Sequence, residues 1–353
     1  MSDLTIRSRI RDYAVRFRDD FAAALAEDLC PGDVPVIDRI VHERYAERLS
    51  PLLAGRQHLV LDATEELKSY QGVEGVIGRL IELGVRRDHR LVAVGGGVIQ
   101  DTTAFIASIL YRGIGWIFYP STLLAQGDSC IGSKTSVNFG SAKNQIGGFY
   151  PPLHVVIDLA FLDTLPLLEL RSGLGEMAHY FLIAGEEDFA RFRDDAPRAL
   201  ADRSVLRGLV ARSLAIKQGF IERDEFDRKE RQVLNYGHTF GHAIETLTDY
   251  RVPHGVAVCY GMDLANYVSV QLGLLGAETR ARARAVLARI WEGVPLGSLD
   301  QQKYESALRK DKKNAAGKLG LILTRGFGQM FKELVPLDER FSGWLRSWFA
   351  EVV

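Results

Sequence analysis

Cysteine is scarce in this chain: Cys30, Cys130 and Cys259 are the only three among 353 residues, and none forms a C-x-x-C pair. That scatter argues against both a disulfide framework and a cysteine zinc site. No apolar run reaches the length of a membrane span. The opening MSDLTIRSRIRDYAVRF mixes charges and has no apolar signal core. An excess of one charge is also missing, because 44 Lys and Arg face 45 Asp and Glu. The totals therefore carry no electrostatic footprint for nucleic acid. Internal repeats and low-complexity tracts are absent too. These absences predict a soluble, cytoplasmic protein whose partner is a small molecule, with no nucleic acid and no membrane involved.

What is present is a core-forming composition, 47% hydrophobic and 25% charged, on a chain long enough for two packed domains. The first half alternates strand-like and helical patterns. HLVLDA (58–63), LVAVGGG, WIFYP and HVVIDLA read as strands. VEGVIGRLIELGV (73–85) and DTTAFIASILY have helical apolar spacing. Such alternation predicts an α/β domain with a parallel, Rossmann-like sheet. After LDTLP (162–166) long amphipathic patterns take over, such as VLRGLVARSLAIKQGFIERDEF and ETRARARAVLARIWEGV. A mainly α-helical second domain is expected, with the boundary near 165–172: residues 1–168 form the first domain and 169–353 the second. The Gly-, Ser-, Asn- and Lys-rich loop between Gly127 and Pro152 is too long for a mere connector.

Three stretches carry candidate chemistry. In RLVAVGGGVIQD a buried strand runs into glycines and then an acid, Asp101. Glycines there let the backbone approach a ligand, and the following helix N-terminus favours phosphate. The spacing departs from G-x-G-x-x-G, so a plain tight turn with a solvated acid fits the same residues. In VLNYGHTFGHAIE, His238 and His242 lie four apart on one helix face. His254 follows twelve residues later, and SGLGEMAHYFLI adds Glu176 and His179. Carboxylate and imidazole together suit a divalent metal with a position left for substrate. An isolated histidine pair would equally be an ordinary helix feature. Lysines among glycines and serines (Lys134, Lys143, Lys217 and the 310–318 run), with Arg231, suit phosphate or carboxylate. Most lysines are solvated surface cations, and Lys318 is read as one.

Taken in order, GGGVIQD, YRG, PSTLLAQGDSCIGSKT, AKNQIGGFYPP, GLGEMAH, DEFDRKERQVLNYGHTFGHAIE and PHGVAVCYGM closely resemble the 3-dehydroquinate synthase family of sugar phosphate cyclases. The similarity runs from about Val36 to Lys318. It implies an NAD-binding α/β domain, a helical metal-binding domain, and catalysis in the cleft between them. For NAD it implies Asp38, Glu65 and Lys68 at the nucleotide half. Gly96, Gly97, Val98 and Asp101 would hold the pyrophosphate and nicotinamide region, with Ser121, Thr122, Asp128, Lys134 and Lys143 nearby. The implied metal ligands, for zinc or cobalt, are Glu176, His238 and His254.

For substrate, the resemblance implies Arg112, Asp128, Lys134, Asn144, Lys217, Arg231, Asn235, His242 and Lys313. Lys134, Lys217 and Arg231 would hold a carboxylate; Asn144, His242 and Lys313 would surround the phosphate. The arginine matching Arg112 serves the neighbouring subunit in that family, which implies a homodimer. The implied reaction joins oxidation, β-elimination of phosphate, reduction and an internal aldol closure, with NAD regenerated. A shikimate-route substrate, 3-deoxy-arabino-heptulosonate 7-phosphate, is favoured. A specialised cyclase for another sugar phosphate and a metal-dependent polyol dehydrogenase are the alternatives.

Four positions depart from the family pattern. His179 stands where lysine is usual, Val256 replaces an acid, and Gln100 and Ser133 replace glycines. His179 is counted among the catalytic candidates, either touching substrate in a reshaped pocket or approaching the metal.

Overall fold

The computed structural model describes residues 3–140, 142–297, 299–309 and 318–352. By internal contacts the chain divides into one unit of residues 1–166 and 217–226, and a second of 167–216 and 227–353. The segment Lys217–Phe226 thus belongs with the first unit, although it lies well beyond the boundary expected near 165–172.

The first unit is built on seven strands: β1 (Leu4–Ile6), β2 (Tyr13–Phe17), β3 (Val34–Asp38), β4 (Leu59–Leu61), β5 (Arg90–Gly95), β6 (Gly115–Pro120) and β9 (His154–Ile157). A hairpin of β7 (Lys134–Phe139) and β8 (Ala142–Phe149) intervenes in the chain. The seven lie in the order β1-β2-β9-β6-β5-β3-β4, all parallel except for the β1–β2 pair. Leu91 to Val94 are fully buried, as a strand covered on both faces requires, and this explains why the stretch reads as an unbroken apolar run. From β3 the chain steps outward to β4, then returns on the other side of β3 to make β5 and β6. The sheet order therefore reverses between β3 and β5, and such switch points open crevices at the carboxyl ends of parallel strands. Asp38 ends β3 and Gly95 ends β5, with Ile37 paired to Val94.

Three strands of this sheet escaped the sequence reading. VPVID is too short and too proline-marked to show a period, and β1 and β2 are brief edge segments. The expected loop after Gly127 is largely an antiparallel hairpin, with a register shift between Val137 and Phe139. Its β8 residues are mostly exposed, so they show no apolar alternation to detect.

The second unit is mainly helical. Helices Leu167–Ala184 and His254–Gln271 are buried around almost their whole circumference, which marks them as core helices. Around them run helices Glu186–Ala199, His238–Leu247, Ala277–Trp291, Gln301–Arg309 and Glu339–Val352. The helix Arg203–Arg223 is divided between the units after Ile216. A hairpin of β10 (Lys318–Thr324) and β11 (Met330–Pro336) was not foreseen in this helical region. Among the described residues no helix is long and apolar enough to cross a membrane.

Within the first unit, the Asp28 carboxylate accepts from Tyr119 Oη at 2.5 Å and faces His154 Nε2 at 2.7 Å. Burial pushes this carboxyl up, but the His154 and Tyr119 hydrogen bonds outweigh it and hold it below its usual value. A depressed carboxylate stabilises the fold above its unfolded pKa of about 3.9 and loses that contribution as pH falls through the lower folded value. Asp28→Asn should therefore cost about 2 kcal/mol at neutral pH. Urea unfolding should show the difference from wild type shrinking below pH 4.

Candidate active site

In the second unit three segments bring Glu176, His238 and His254 together, with one ligating atom from each within 4.8 Å of the others. Glu176 lies mid-helix in Leu167–Ala184 and is 2% exposed. One carboxylate oxygen, Oε1, is 3.4 Å from His238 Nε2, and the other, Oε2, is 3.2 Å from His254 Nε2. Glycines permit this approach. A Cβ at Gly255 would collide with the Ser172 carbonyl, and one at Gly175 with the Gly255 carbonyl, so the two core helices meet backbone to backbone. Gly237 has φ +82°, the left-handed conformation that glycine adopts without strain, and it turns the chain into the helix that His238 begins.

The outer nitrogens of both imidazoles are held. His238 Nδ1 lies 3.2 Å from the Tyr236 carbonyl, and His254 Nδ1 lies 3.0 Å from Glu245 Oε2. A carbonyl or carboxylate can only accept, so either ring, when neutral, carries its proton on Nδ1 and turns a bare Nε2 lone pair toward Glu176. Glu176 Oε2 itself accepts no hydrogen bond and is buried. Lone pairs on three sides of one space repel unless a cation lies among them. One carboxylate and two imidazoles match the donor set of an open, catalytic divalent-metal centre, and carboxylate or carbonyl partners behind the rings orient such ligands. Burial pushes the Glu176 carboxyl up, yet the His238, His179 and His254 rings outweigh it and hold the group well below the usual carboxylate range. Burial alone would lower His254, but Glu245 and Glu176 raise it well above its ordinary value.

His179, one turn after Glu176, is also buried. Its Nδ1 turns to the Glu176 carbonyl, and its ring sits edge-on to His238 with centroids 5.4 Å apart. It packs against the Glu176–His238–His254 cluster but is not one of the three. His242 is exposed, one turn beyond His238. Arg231 is buried on the short turn Glu230–Asn235, and Asn235 Nδ2 donates to the Gln232 carbonyl at 3.1 Å. Lys312 and Lys313 lie outside the described residues, and Lys318 is exposed at the start of β10. Glu245 and the Tyr236 carbonyl were missed. Glu245 ends the quoted GHTFGHAIE, and its spacing of three from His242 was the available signal.

In the first unit Gly96 caps the helix Gly97–Ile109 with no side-chain hydrogen bond, leaving its leading N–H groups to other acceptors. A Cβ at Gly97 would meet nothing within 4 Å, whereas one at Gly96 would press on the Thr122 methyl at 2.9 Å. An open helix N-terminus of this kind suits a phosphate. Lys68 Nζ is 2.6 Å from Asp101 Oδ2, Lys143 Nζ is 3.3 Å from Glu65, and Asn138 Nδ2 donates to Glu65 at 2.8 Å. Burial pushes the Asp101 carboxyl up, and Lys68 offsets only part of that. Val98 is the second residue of the same helix, and Ser121 donates its N–H to the Gly95 carbonyl at 2.9 Å. The Asp38 carboxylate caps Ile40 N–H at 2.9 Å.

Lys217 Nζ donates to Asp128 Oδ1 at 2.6 Å and to the Asp128 carbonyl at 2.8 Å, both in this unit. Lys134 and Asn144 are exposed on the hairpin, where Ser136 Oγ donates to Asn144 Oδ1 at 3.1 Å. Arg112 stands apart. It lies beyond the far end of the 13-residue helix, about 20 Å from the glycine turn.

A model of the 3-dehydroquinate synthase N-terminal domain matches residues 58–172, and one of its C-terminal domain matches 173–314. A 3-dehydroquinate synthase of Xylella fastidiosa (strain M12) is 41% identical over 319 residues, covering 86% of this chain and 85% of that one. The structure also matches 2-deoxy-scyllo-inosose synthase complexed with carbaglucose-6-phosphate, NAD+ and Co2+, with TM-score 0.87, 25% identity and full coverage of both chains. A 2-epi-5-epi-valiolone synthase from Streptomyces hygroscopicus subsp. jinggangensis 5008, with NAD+ and Zn2+ bound, aligns with TM-score 0.87 and 28% identity over 99% of each.

Glu245→Gln keeps a partner for His254 but removes the charge behind it. Divalent-metal affinity should fall 10- to 100-fold or so, measured by competition with a chromogenic chelator, while the melting temperature of the apoprotein stays close to wild type. Sequence, fold and donor geometry thus lead to one assignment: this chain belongs to the 3-dehydroquinate synthase family, and it is an enzyme of that type.

Proposed function

We propose that the chain is a cytoplasmic, homodimeric cyclase that converts 3-deoxy-arabino-heptulosonate 7-phosphate into a carbocycle on the shikimate route, releasing phosphate. The observation that carries the reading is the meeting of Glu176, His238 and His254 with both imidazole Nδ1 atoms held from behind. Those three would hold a divalent ion, zinc or cobalt. NAD would lie along Gly96, Gly97 and Val98, with Asp38, Glu65, Lys68, Asp101, Ser121, Thr122 and Lys143 around it. When bound, the two groups supply Lewis acidity and a reversible hydride acceptor.

The remaining chemistry falls to the chain's own side chains. Lys134, Lys217 and Arg231 are assigned to the substrate carboxylate, and Asp128 fixes the Lys217 ammonium through two hydrogen bonds. Cations of this kind, two of them buried, oppose the charge that develops when a carbon acid next to a ketone loses its proton. His242 and Asn144, with Lys313, are assigned to the phosphate, and Asn235 to the substrate. Arg112, distant from the glycine turn, is assigned to the partner subunit's site, which is the reason for proposing a homodimer. The cytoplasmic assignment draws on three free cysteines. A cyclase for a different sugar phosphate is the second reading. It draws on His179 and on the structural match to the inosose and valiolone synthases.

Incubation with NAD, Zn2+ and 3-deoxy-arabino-heptulosonate 7-phosphate should release one phosphate per carbocycle with no net rise in NADH absorbance. A sustained rise would mean a polyol dehydrogenase instead. Turnover of sedoheptulose 7-phosphate or glucose 6-phosphate, with the heptulosonate inert, would select the second reading. Chelation should abolish turnover, and added Zn2+ or Co2+ should restore it. Gly97→Val places a branched side chain in space that is open in the protein. It should leave the melting temperature nearly unchanged yet weaken NAD binding at least tenfold by calorimetry.

A further inference from the structure

Beside the inner cluster lies a second one. His242, Glu245 and His254 also present one ligating atom each, all within 4.8 Å of one another. His242 and Glu245 are three apart on the helix His238–Leu247 and so share a face. His254 opens the next long helix. The two clusters share only His254, whose ring lies between two carboxylates: Nε2 is 3.2 Å from Glu176 Oε2, and Nδ1 is 3.0 Å from Glu245 Oε2. The rings of His242 and His254 have centroids 5.6 Å apart at 31°. The inner cluster has a buried carboxylate, whereas the outer one includes the exposed His242.

We propose that His242, Glu245 and His254 Nδ1 form an outer divalent-cation site, exclusive with the inner one, at which the ion first binds before moving inward. The proposal rests on the metal reading above. Exclusivity follows from valence, since a neutral imidazole has one lone pair. With an ion inside, Nε2 coordinates and the ring proton on Nδ1 is donated to Glu245. With an ion outside, Nδ1 coordinates and the proton sits on Nε2, aimed at the otherwise unbonded Glu176 Oε2. One proton leaves one ring nitrogen as one arrives on the other, so the net charge of the ring is unchanged. The inner position has the more buried donors and both oriented rings, so it holds the ion more tightly. The outer position is open to water, where an incoming hydrated cation can exchange its ligands one at a time. A carboxylate and two imidazoles again suit zinc or cobalt better than calcium or magnesium.

Cobalt(II) is the probe, because its visible absorption reports ligand set and geometry. Apo wild type should take up one Co2+ per chain in two spectral phases. Glu176→Gln/His238→Ala, which removes two inner ligands, should still bind one Co2+ at least tenfold more weakly, with the spectrum of the first phase. Adding His242→Ala should abolish that binding. His242→Ala alone should keep the final wild-type spectrum and stoichiometry but lose the first phase. Should the double variant fail to fold by circular dichroism, the two loading time courses decide. Absence of binding in a folded double variant, binding that survives when His242→Ala is added to that double variant, or identical single-phase loading in wild type and the His242→Ala single variant would each overturn the outer site alone. No uptake by wild type would overturn the metal reading and this site with it.

Discussion

The second unit is organised around an electrostatic conflict. A carboxylate with 2% exposure faces two imidazole nitrogens whose lone pairs point at it whenever the rings are neutral, because the single proton of each neutral ring is committed to an acceptor on its far side. Nothing in ordinary packing favours such an arrangement. It is maintained by helices that are almost wholly buried and that touch through glycines, so the donors cannot swing away from one another. A proton or a metal ion between them relieves the repulsion, and proteins hold open metal sites in this way by spending packing on preorganisation.

The first unit solves a different problem with a similar economy of side chains. The sheet order reverses between β3 and β5, the kind of point where crevices open, and at the end of β5 Gly97 leaves the helix start open while Gly96 lies close against Thr122. Acid and base beside it are already paired, Lys68 with Asp101 and Lys143 with Glu65, so the charged rim there carries no excess net charge. The hairpin adds to this rim. Asn138 donates its side-chain amide to Glu65 and accepts from Asn144 N–H at 3.0 Å, and its own N–H reaches the Lys68 carbonyl at 2.8 Å.

The departures from the family pattern have separate physical accounts. Gln100 donates to the Ser129 carbonyl and accepts from Ser129 Oγ, both at 2.6 Å, fastening the glycine-turn helix to the π-helical turn that carries Asp128. Ser133 has φ +61°, a conformation that glycine adopts freely and serine only at some cost. Val256 is fully buried two residues after His254, where an acid would need a partner. His179 fills the space behind the Glu176 carboxylate with a ring.

Chain order, strand–helix alternation and the family motifs were legible from residues alone, because buried parallel strands read as apolar runs and glycine turns punctuate them. Spacing and flanking glycines marked Glu176, His179, His238, His242 and His254 as candidates, and the family resemblance rather than the spacing narrowed them to Glu176, His238 and His254, which the fold brings together. Glu245 behind His254, the Gln100–Ser129 clamp and the pairing of Lys217 with Asp128 were not legible, because each joins residues that meet only after packing and leaves no period in the sequence. The β7–β8 hairpin escaped for the opposite reason, its outward residues being too exposed to alternate. Local pattern determined which elements form and which side chains carry chemistry. Tertiary structure alone decided which lone pairs face one another, because direction and distance between separate helices are set by the closeness of their backbones.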